Sequence, residues 1–425
     1  MSHPKQNTDS PELVILNQYY YPAVASTGHL LHELAVEAAK AGRSVSVLTC
    51  FPSYGPPESW VPCAAKEVVQ GVRIRRLRST RFSKDRIAGR LSNAFTFLVP
   101  LFIRQLLSRY RGRVYMYTSN PPFLGIIGGM VSLVRKHRYI VLLHDSYPHL
   151  AVWCRKIRPN GPIERAWHIV NKIMYRRASQ TIVLCERAKE LVVREYGLRP
   201  DRVHVIHNWA DPAAISPVPK QQTQFAKSNG LNNVFTLLYS GNLGLYYEFE
   251  TLLCVAERFR DDPDFQLVFI GAGGRRPWIQ AEIERRRLRN VQMHPYQPFE
   301  TLNDSLNACD VSLVTIAKGI EGISFPSKLY SSLAVGKPIL AISERGSELQ
   351  RMVEGSGAGF WIEMENVDRL VDTVRELRSS ADLRSRMGAA ARDCVERHYT
   401  ASTAARQYLW VVDSASSDRH EGGTL

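Results

Sequence analysis

Short unbroken apolar runs recur along this 425-residue chain, and each leads through a polar or glycine-containing loop into a segment of helical period. Residues 13–16, 45–48, 114–117, 139–143, 181–184 and 203–206 form one series; 235–239, 266–270, 291–294, 311–314 and 339–342 form a second. Runs apolar on both faces, alternating with helices, are what a parallel sheet buried under helices requires. The fold class is therefore α/β, with two Rossmann-like domains built on doubly wound parallel sheets. In such sheets ligands gather at the carboxyl ends of the strands. A hydrophobic content of 44% supplies enough apolar material for both cores.

The pattern places one domain at 1–210, a polar, proline-containing linker at 211–233 and a second domain at 234–398. A last helix, about 401–413, carries Tyr408, Leu409, Trp410 and Val411 within a closing segment 399–425 whose tail frays from Ser414. The first strand runs into Asn17-Gln18-Tyr19-Tyr20-Tyr21-Pro22 and a small-residue loop, Ala25-Ser26-Thr27-Gly28. One glycine is a weak phosphate signal, so an ordinary strand-to-helix turn remains an equal reading of Thr27 and Gly28.

The densest constellation is Glu321 to Pro338, EGISFPSKLYSSLAVGKP. A glycine-interrupted loop ends at Pro326, Ser327 stands as N-cap, and Leu329, Tyr330, Leu333 and Ala334 follow at helical spacing until Gly336-Lys337-Pro338 stops the helix. A carboxylate and a lysine delivered beside a helix N-terminus suit an anion.

Seven scattered cysteines, none in CxxC spacing, argue against a disulfide framework or zinc site and for a reducing cytosol. The N-terminus lacks an apolar h-region, and no run reaches the roughly 18 apolar residues needed to cross a bilayer. The net charge of +15 is lopsided: residues 1–210 carry 31 Lys/Arg against 13 Asp/Glu, the remainder 24 against 27. Much of the excess falls in 73–113, where Arg73, Arg75, Arg76, Arg78, Arg81, Lys84, Arg86 and Arg90 precede the apolar stretch 91–103, and Arg104, Arg109, Arg111 and Arg113 follow it. Such a segment suits an anionic membrane surface, or equally a solvated basic face over a core helix. Nucleic acid is disfavoured, because no helix-turn-helix, RRM or finger signature accompanies the charge.

The ordered set of motifs resembles the family 4 glycosyltransferases of GT-B fold: Tyr-Tyr-x-Pro near residue 21, His-Asp-x-Tyr-Pro near 145, Asn208, Ser-Gly-Asn-Leu-Gly near 241, Gly-x-Gly near 272 and Pro-Ser-Lys near 327. The Pro-Ser-Lys-Leu-Tyr form is similar to the branch that builds bacterial surface polysaccharide of colanic acid or O-antigen type. The resemblance implies two facing domains, the first binding the acceptor and the second a nucleotide sugar, with the terminal helix crossing back onto the first. It further implies transfer of a sugar, from a UDP-linked donor, to a lipid-carried acceptor at the inner face of the cell membrane. Retention of configuration is implied too, with no metal ion and no cofactor beyond the donor.

Carried over residue by residue, Glu321 would bond hydroxyls of the donor sugar, while Gly241 and Gly244 with Asn242 would let backbone amides approach its phosphates. Lys328 and Arg275, with Arg276 as rival, would meet the diphosphate charge, and Tyr296 and Gln297 would flank the base. Ser331 stands where the family's ribose-gripping glutamate is usual, and the family's Arg/Lys pair after the first strand of the second domain is missing. His144 and Asp145, at a strand's carboxyl end, serve either the reaction centre and acceptor or a structural pairing. The only Asp-x-Asp, Asp262-Pro263-Asp264, reads as a turn. A sugar-nucleotide epimerase of the same fold and a catalytically silent scaffold are the alternatives.

Overall fold

The structure, a computed structural model, describes residues 10–22, 26–53, 60–82, 87–108, 111–135 and 137–417. Ala25, Lys84, Asp85, Arg86 and Arg109 of the motifs above lie outside the described residues. The chain divides into two units, one of residues 1–207 with 401–425, the other of 208–400.

The first unit opens with β1 (Glu12–Leu16), α1 (Ser26–Lys40), β2 (Val45–Cys50), β3 (Lys66–Val69) and β4 (Val72–Leu77). There follow α2 (Ile87–Leu106), β5 (Arg113–Thr118), α3 (Leu124–Val134), β6 (Tyr139–Leu143) and α4 (His149–Trp153). It continues with α5 (Pro162–Arg177), β7 (Gln180–Val183), α6 (Glu186–Tyr196) and β8 (Val203–Val205). Its sheet runs β3-β4-β2-β1-β5-β6-β7-β8, and strand order reverses between β1 and β5. Only β3 pairs antiparallel.

The second unit contains α7 (Gln224–Ser228), β9 (Phe235–Ser240), α8 (Glu250–Arg258), β10 (Phe265–Ile270), α9 (Arg276–Arg286) and β11 (Val291–His294). Next come α10 (Leu302–Asn307), β12 (Val311–Thr315), α11 (Lys328–Ala334), β13 (Ile339–Ser343) and α12 (Glu348–Ser356). It closes with β14 (Gly359–Glu363), α13 (Val367–Ser379) and α14 (Ala381–His398). Its sheet, β11-β10-β9-β12-β13-β14, is parallel throughout and reverses between β9 and β12. The strands pack as the apolar runs require: Leu237, Tyr239, Leu267, Phe269, Leu313, Leu340 and Ile342 form one buried cluster.

The last helix, α15 (Ala401–Ser417), belongs to the first unit, with Tyr408, Val411, Val412 and Ala415 buried. Asp413 pairs with Arg43 at 2.8 Å and the carbonyl of Ser416 accepts from Arg138, so the helix holds past Ser414 instead of fraying there.

Two further expectations change. The basic stretch 73–77 is strand β4, in a hairpin turned by Gln70 and Gly71 at φ 48° and 82°, and so does not form one segment with the apolar stretch 91–103. Val72, Ile74 and Arg76 alternate inward, and the buried Arg76 guanidinium donates to the carbonyls of Ala64 (2.9 Å) and Tyr21 (3.0 Å) and pairs with Glu67 (2.5 Å). The stretch 211–233 is not a free linker either. It lies within the second unit, where Lys220, only 4% exposed, pairs with Asp310 at 2.6 Å and donates to Thr236 at 2.9 Å. Arg392 of α14 gathers the carbonyls of Pro212 (2.8 Å), Ile215 (2.7 Å) and Ala334 (2.8 Å). Its polar residues are bonding groups, so hydropathy alone misread it.

Arg392→Ala strips a charged donor from three carbonyls and should destabilise the second unit by about 2–3 kcal/mol. Hydrogen exchange at 211–218 and in α11 should accelerate; unchanged protection there would show that these bonds contribute nothing.

Candidate active site

The second unit's site is built from backbone brought unusually close. Gly241, just after β9, has φ +136°, and Gly271, just after β10, has φ +146°. A Cβ on Gly271 would fall 1.9 Å from the Gly241 oxygen, and one on Gly273 would fall 2.3 Å from the Leu243 oxygen. No side chain fits in either place, so these glycines are required by approach as well as by φ. The loops are laced by Gly241 N–H to Ile270 O (2.9 Å), Leu243 N–H to Ala272 O (2.8 Å) and Arg275 N–H to Leu243 O (2.9 Å). The Asn242 amide is wedged between Gly244 and Gly273, whose hypothetical Cβ atoms would lie 2.8 and 2.6 Å from its side-chain atoms.

Lys328 reaches into this loop pair from the first residue of α11. Its Nζ lies 3.5 Å from the ring centroid of Tyr239 and 3.8 Å from that of Tyr247. It donates to the Tyr239 hydroxyl, which in turn donates to the Asn242 carbonyl at 2.9 Å. Its Cε is 3.3 Å from where a Gly241 Cβ would stand, so the lysine lies directly against the glycine backbone. The residue is 9% exposed, and among the described residues no carboxylate pairs with it. Burial drives its pKa well below the usual lysine value.

The helix itself contributes less than its sequence suggests. α11 is seven residues long, and Ser327 has helical backbone angles with no hydroxyl cap. The anion-favouring feature is therefore the amine, not a helix N-terminus.

Around this centre the remaining residues separate. Arg275 stacks its guanidinium 3.9 Å over the Trp278 ring and keeps a buried Nε without a partner. Arg276 is consumed by the carbonyls of Gly271 (2.8 Å) and His294 (3.1 Å), so of the two Arg275 is the one left with an unbonded Nε. Tyr296 is 54% exposed and donates to the Ala272 carbonyl at 3.4 Å. Gln297 bonds locally, donating to the carbonyl of Pro295 at 3.0 Å. Ser331 folds back on the Lys328 carbonyl at 3.0 Å. Glu321 accepts at 2.8 Å from the N–H of Glu348, the first residue of α12, so its carboxylate is fixed by the next helix.

In the first unit, Gly28 admits the chain against Tyr19, whose carbonyl oxygen would stand 2.9 Å from a Cβ there. Thr27 is half-buried in the first turn of α1. The Ser119 hydroxyl, after β5, accepts from the N–H groups of His144 (3.0 Å) and Asp145 (3.2 Å), after β6. These residues thus collect at the carboxyl ends beside the β1/β5 reversal. Burial pushes the His144 pKa down to about 4, and its Nδ1 is buried without a partner.

Residues 27–209 match the family described as Glycosyl transferase 4-like domain, and 220–393 match Glycosyl transferases group 1. The chain belongs to the family 4 glycosyltransferases. It is 27% identical to the Probable glycosyltransferase WbjE of Pseudomonas aeruginosa over 75% of this chain and 79% of that protein. It is 31% identical to WcaI of Escherichia coli K12, named for colanic acid biosynthesis as a glycosyl transferase, over 51% of this chain and 52% of that one. Among solved structures, HepE of Anabaena with UDP and glucose superposes with a TM-score of 0.71 at 15% identity, covering 95% of this chain and all (100%) of that one. This likeness shows the GT-B fold.

In this glycosyltransferase the lone Asp-x-Asp lies at the amino end of β10, away from the glycine loops. Arg378 bonds the carboxylate of Asp262 and lies 3.5 Å from that of Asp264, so the motif is a closed turn as expected. Sequence reasoning missed three site groups: Ser119, the Trp278 ring beneath Arg275, and Tyr239, which joins Lys328 to the Asn242 carbonyl.

The His144 side chain should remain neutral from pH 8 down to about 5, with its ring proton shifts flat across that range. Because its folded pKa of about 4 lies below the unfolded value, the stability it confers is complete above about 6.5 and is lost as pH falls toward 4. A titration midpoint near 6.5 in the folded protein would contradict the burial.

Proposed function

We propose that this glycosyltransferase moves the sugar of a UDP-sugar onto a lipid-carried saccharide acceptor during surface polysaccharide assembly. Transfer proceeds with retention, without a metal ion, at the inner face of the cell membrane. The names of WbjE and WcaI and the UDP and UDP-glucose bound to HepE support this choice of pathway and donor.

The observation that carries the reading is Lys328, a buried amine with no carboxylate, lying against Gly241 and its loop. Departure of a sugar leaves a nucleoside diphosphate whose growing charge must be met by fixed groups. The two tyrosine rings favour the ammonium while burial disfavours it. An arriving diphosphate shifts that balance toward the ammonium and pairs with it. Arg275, with its unpartnered Nε, adds a second donor, and Gly241 and Gly244 open backbone to the phosphates. Glu321 is held to orient sugar hydroxyls, and Ser331 offers the ribose only a short hydroxyl. Tyr296 and Gln297 flank the base. In the first unit Thr27 and Gly28 shape the loop, neutral His144 bonds a sugar hydroxyl and Asp145 positions the acceptor.

The membrane part of the reading rests on α2. Leu91, Phe95, Val99 and Ile103 repeat every four residues and are 53%, 68%, 39% and 53% exposed, while Ala94, Phe97 and Leu101 face the core. Exposed Arg78, Arg81 and Arg90 lie close in sequence. Among the described residues no helix is long and apolar enough to cross a membrane. An exposed apolar stripe with basic residues nearby suits adsorption to anionic lipid.

Lys328→Met should abolish measurable UDP binding in calorimetry, a loss of about 100-fold or more, while the thermal midpoint stays level or rises because a buried amine is gone. Unchanged UDP affinity would remove Lys328 from the site. Glu321→Gln retains an acceptor for the Glu348 N–H but lacks charge. It should lower kcat by about 10- to 100-fold with UDP affinity nearly unchanged; equal loss of both would argue against a sugar contact.

A further inference from the structure

We propose that a cavity beneath the C-terminal half of α2 receives the phosphate head group of one anionic phospholipid, with the acyl chains laid along the exposed stripe of that helix. The inference rests on the membrane reading above and narrows it from a charged face to a receptor for a single lipid.

The cavity, about 400 Å³, lies where α2 crosses the sheet, and Val14, Leu48, Arg75, Arg104, Gln105 and Tyr115 line it. An adjoining opening of about 640 Å³ is walled by Pro100, Ile103 and Leu107 and shares Arg104, Ser108 and Arg113 with the first. A cationic interior therefore opens onto an apolar rim, and Leu107, 78% exposed, extends the stripe to that rim.

The charges in the cavity are unequal. Glu12 holds Arg73 and Arg113, each at 2.8 Å, and Glu67 is taken by Arg76 at 2.5 Å. Arg75, Arg104 and Lys66 remain, and among the described residues none of the three has an ion-pair partner. Burial first, then Arg75 and Arg113 nearby, draws the Arg104 pKa downward, as expected of a cation beside others with no acid of its own.

Gln105 is an independent sign. It is fully buried (0% exposed), and neither its Oε1 nor its Nε2 has a partner. An amide left so is destabilising, and a phosphodiester with a glycerol hydroxyl offers both the acceptor and the donor it lacks.

The site is separate from the transfer chemistry. Its β1 and β5 residues come from the first halves of those strands, with β2, β3 and β4 supplying the rest, whereas Gly28, Ser119 and His144 follow the carboxyl ends. That separation favours a membrane phospholipid over the saccharide-bearing acceptor, whose sugar must reach the reacting groups. The apolar rim favours a lipid over free phosphate, which would leave Ile103 and Leu107 in water.

The test has two arms. Dihexanoylphosphatidylglycerol, below its micellar concentration, should raise the thermal midpoint of the wild-type protein, and inorganic phosphate or dihexanoylphosphatidylcholine at the same concentration should not. An equal rise with phosphate would overturn the lipid assignment. In flotation with phosphatidylglycerol vesicles, Arg75→Gln with Arg104→Gln should lose about tenfold or more in affinity. Arg78→Gln with Arg90→Gln, an equal charge loss at exposed positions, should lose several-fold less than that. Equal losses with intact wild-type flotation would overturn this site alone, whereas failure of the wild type to float would overturn the membrane reading on which it rests.

Discussion

The second unit is organised around one buried amine. Lys328 occupies the carboxyl-end region of a parallel sheet, among aromatic rings and glycine backbone, and among the described residues no acid pairs with it. Burial there disfavours the ammonium and lowers the lysine pKa, which an anion arriving beside it would reverse. The neighbouring glycines follow from the same requirement. Gly241 leaves room for the lysine stem, and Gly271 and Gly273 let two loops close around it without side chains between. The lysine comes from α11, with Tyr239 and Tyr247 as its floor.

The first unit shows the complementary use of charge. Its surplus of arginine is partly structural: Glu12 secures two, and Arg76 turns inward to bind carbonyls. Among what remains unneutralised, Arg75 and Arg104 are gathered beside an exposed apolar helix face. A net charge for the domain could not distinguish these uses; only the partner of each guanidinium does.

The two sheets, their alternation with helices and the glycine loops were legible from apolar runs and their punctuation, since a strand buried on both faces leaves little else for such runs to be. The hairpin at 66–77 was not, although Val72, Ile74 and Arg76 alternate with period two, because a buried arginine breaks the hydropathy signal at the third inward position. The segment 211–233 was misread for a related reason: Lys220 and its neighbours are polar because they bond, not because they are solvated. Within the site, sequence named Lys328 and Arg275 but could not choose between Arg275 and Arg276. What separates them is the carbonyls of Gly271 and His294, which only the fold brings to Arg276. The cap at Ser327 was over-read, since a good N-cap residue need not make the bond.

The most direct test of the account is the titration of the Lys328 side chain, followed by its ¹⁵Nζ resonance over a pH series with and without UDP. The account predicts a titration displaced below the usual lysine range in the free protein and moved upward when UDP binds. A titration in the usual lysine range without nucleotide, or one that UDP leaves unaltered, would contradict it.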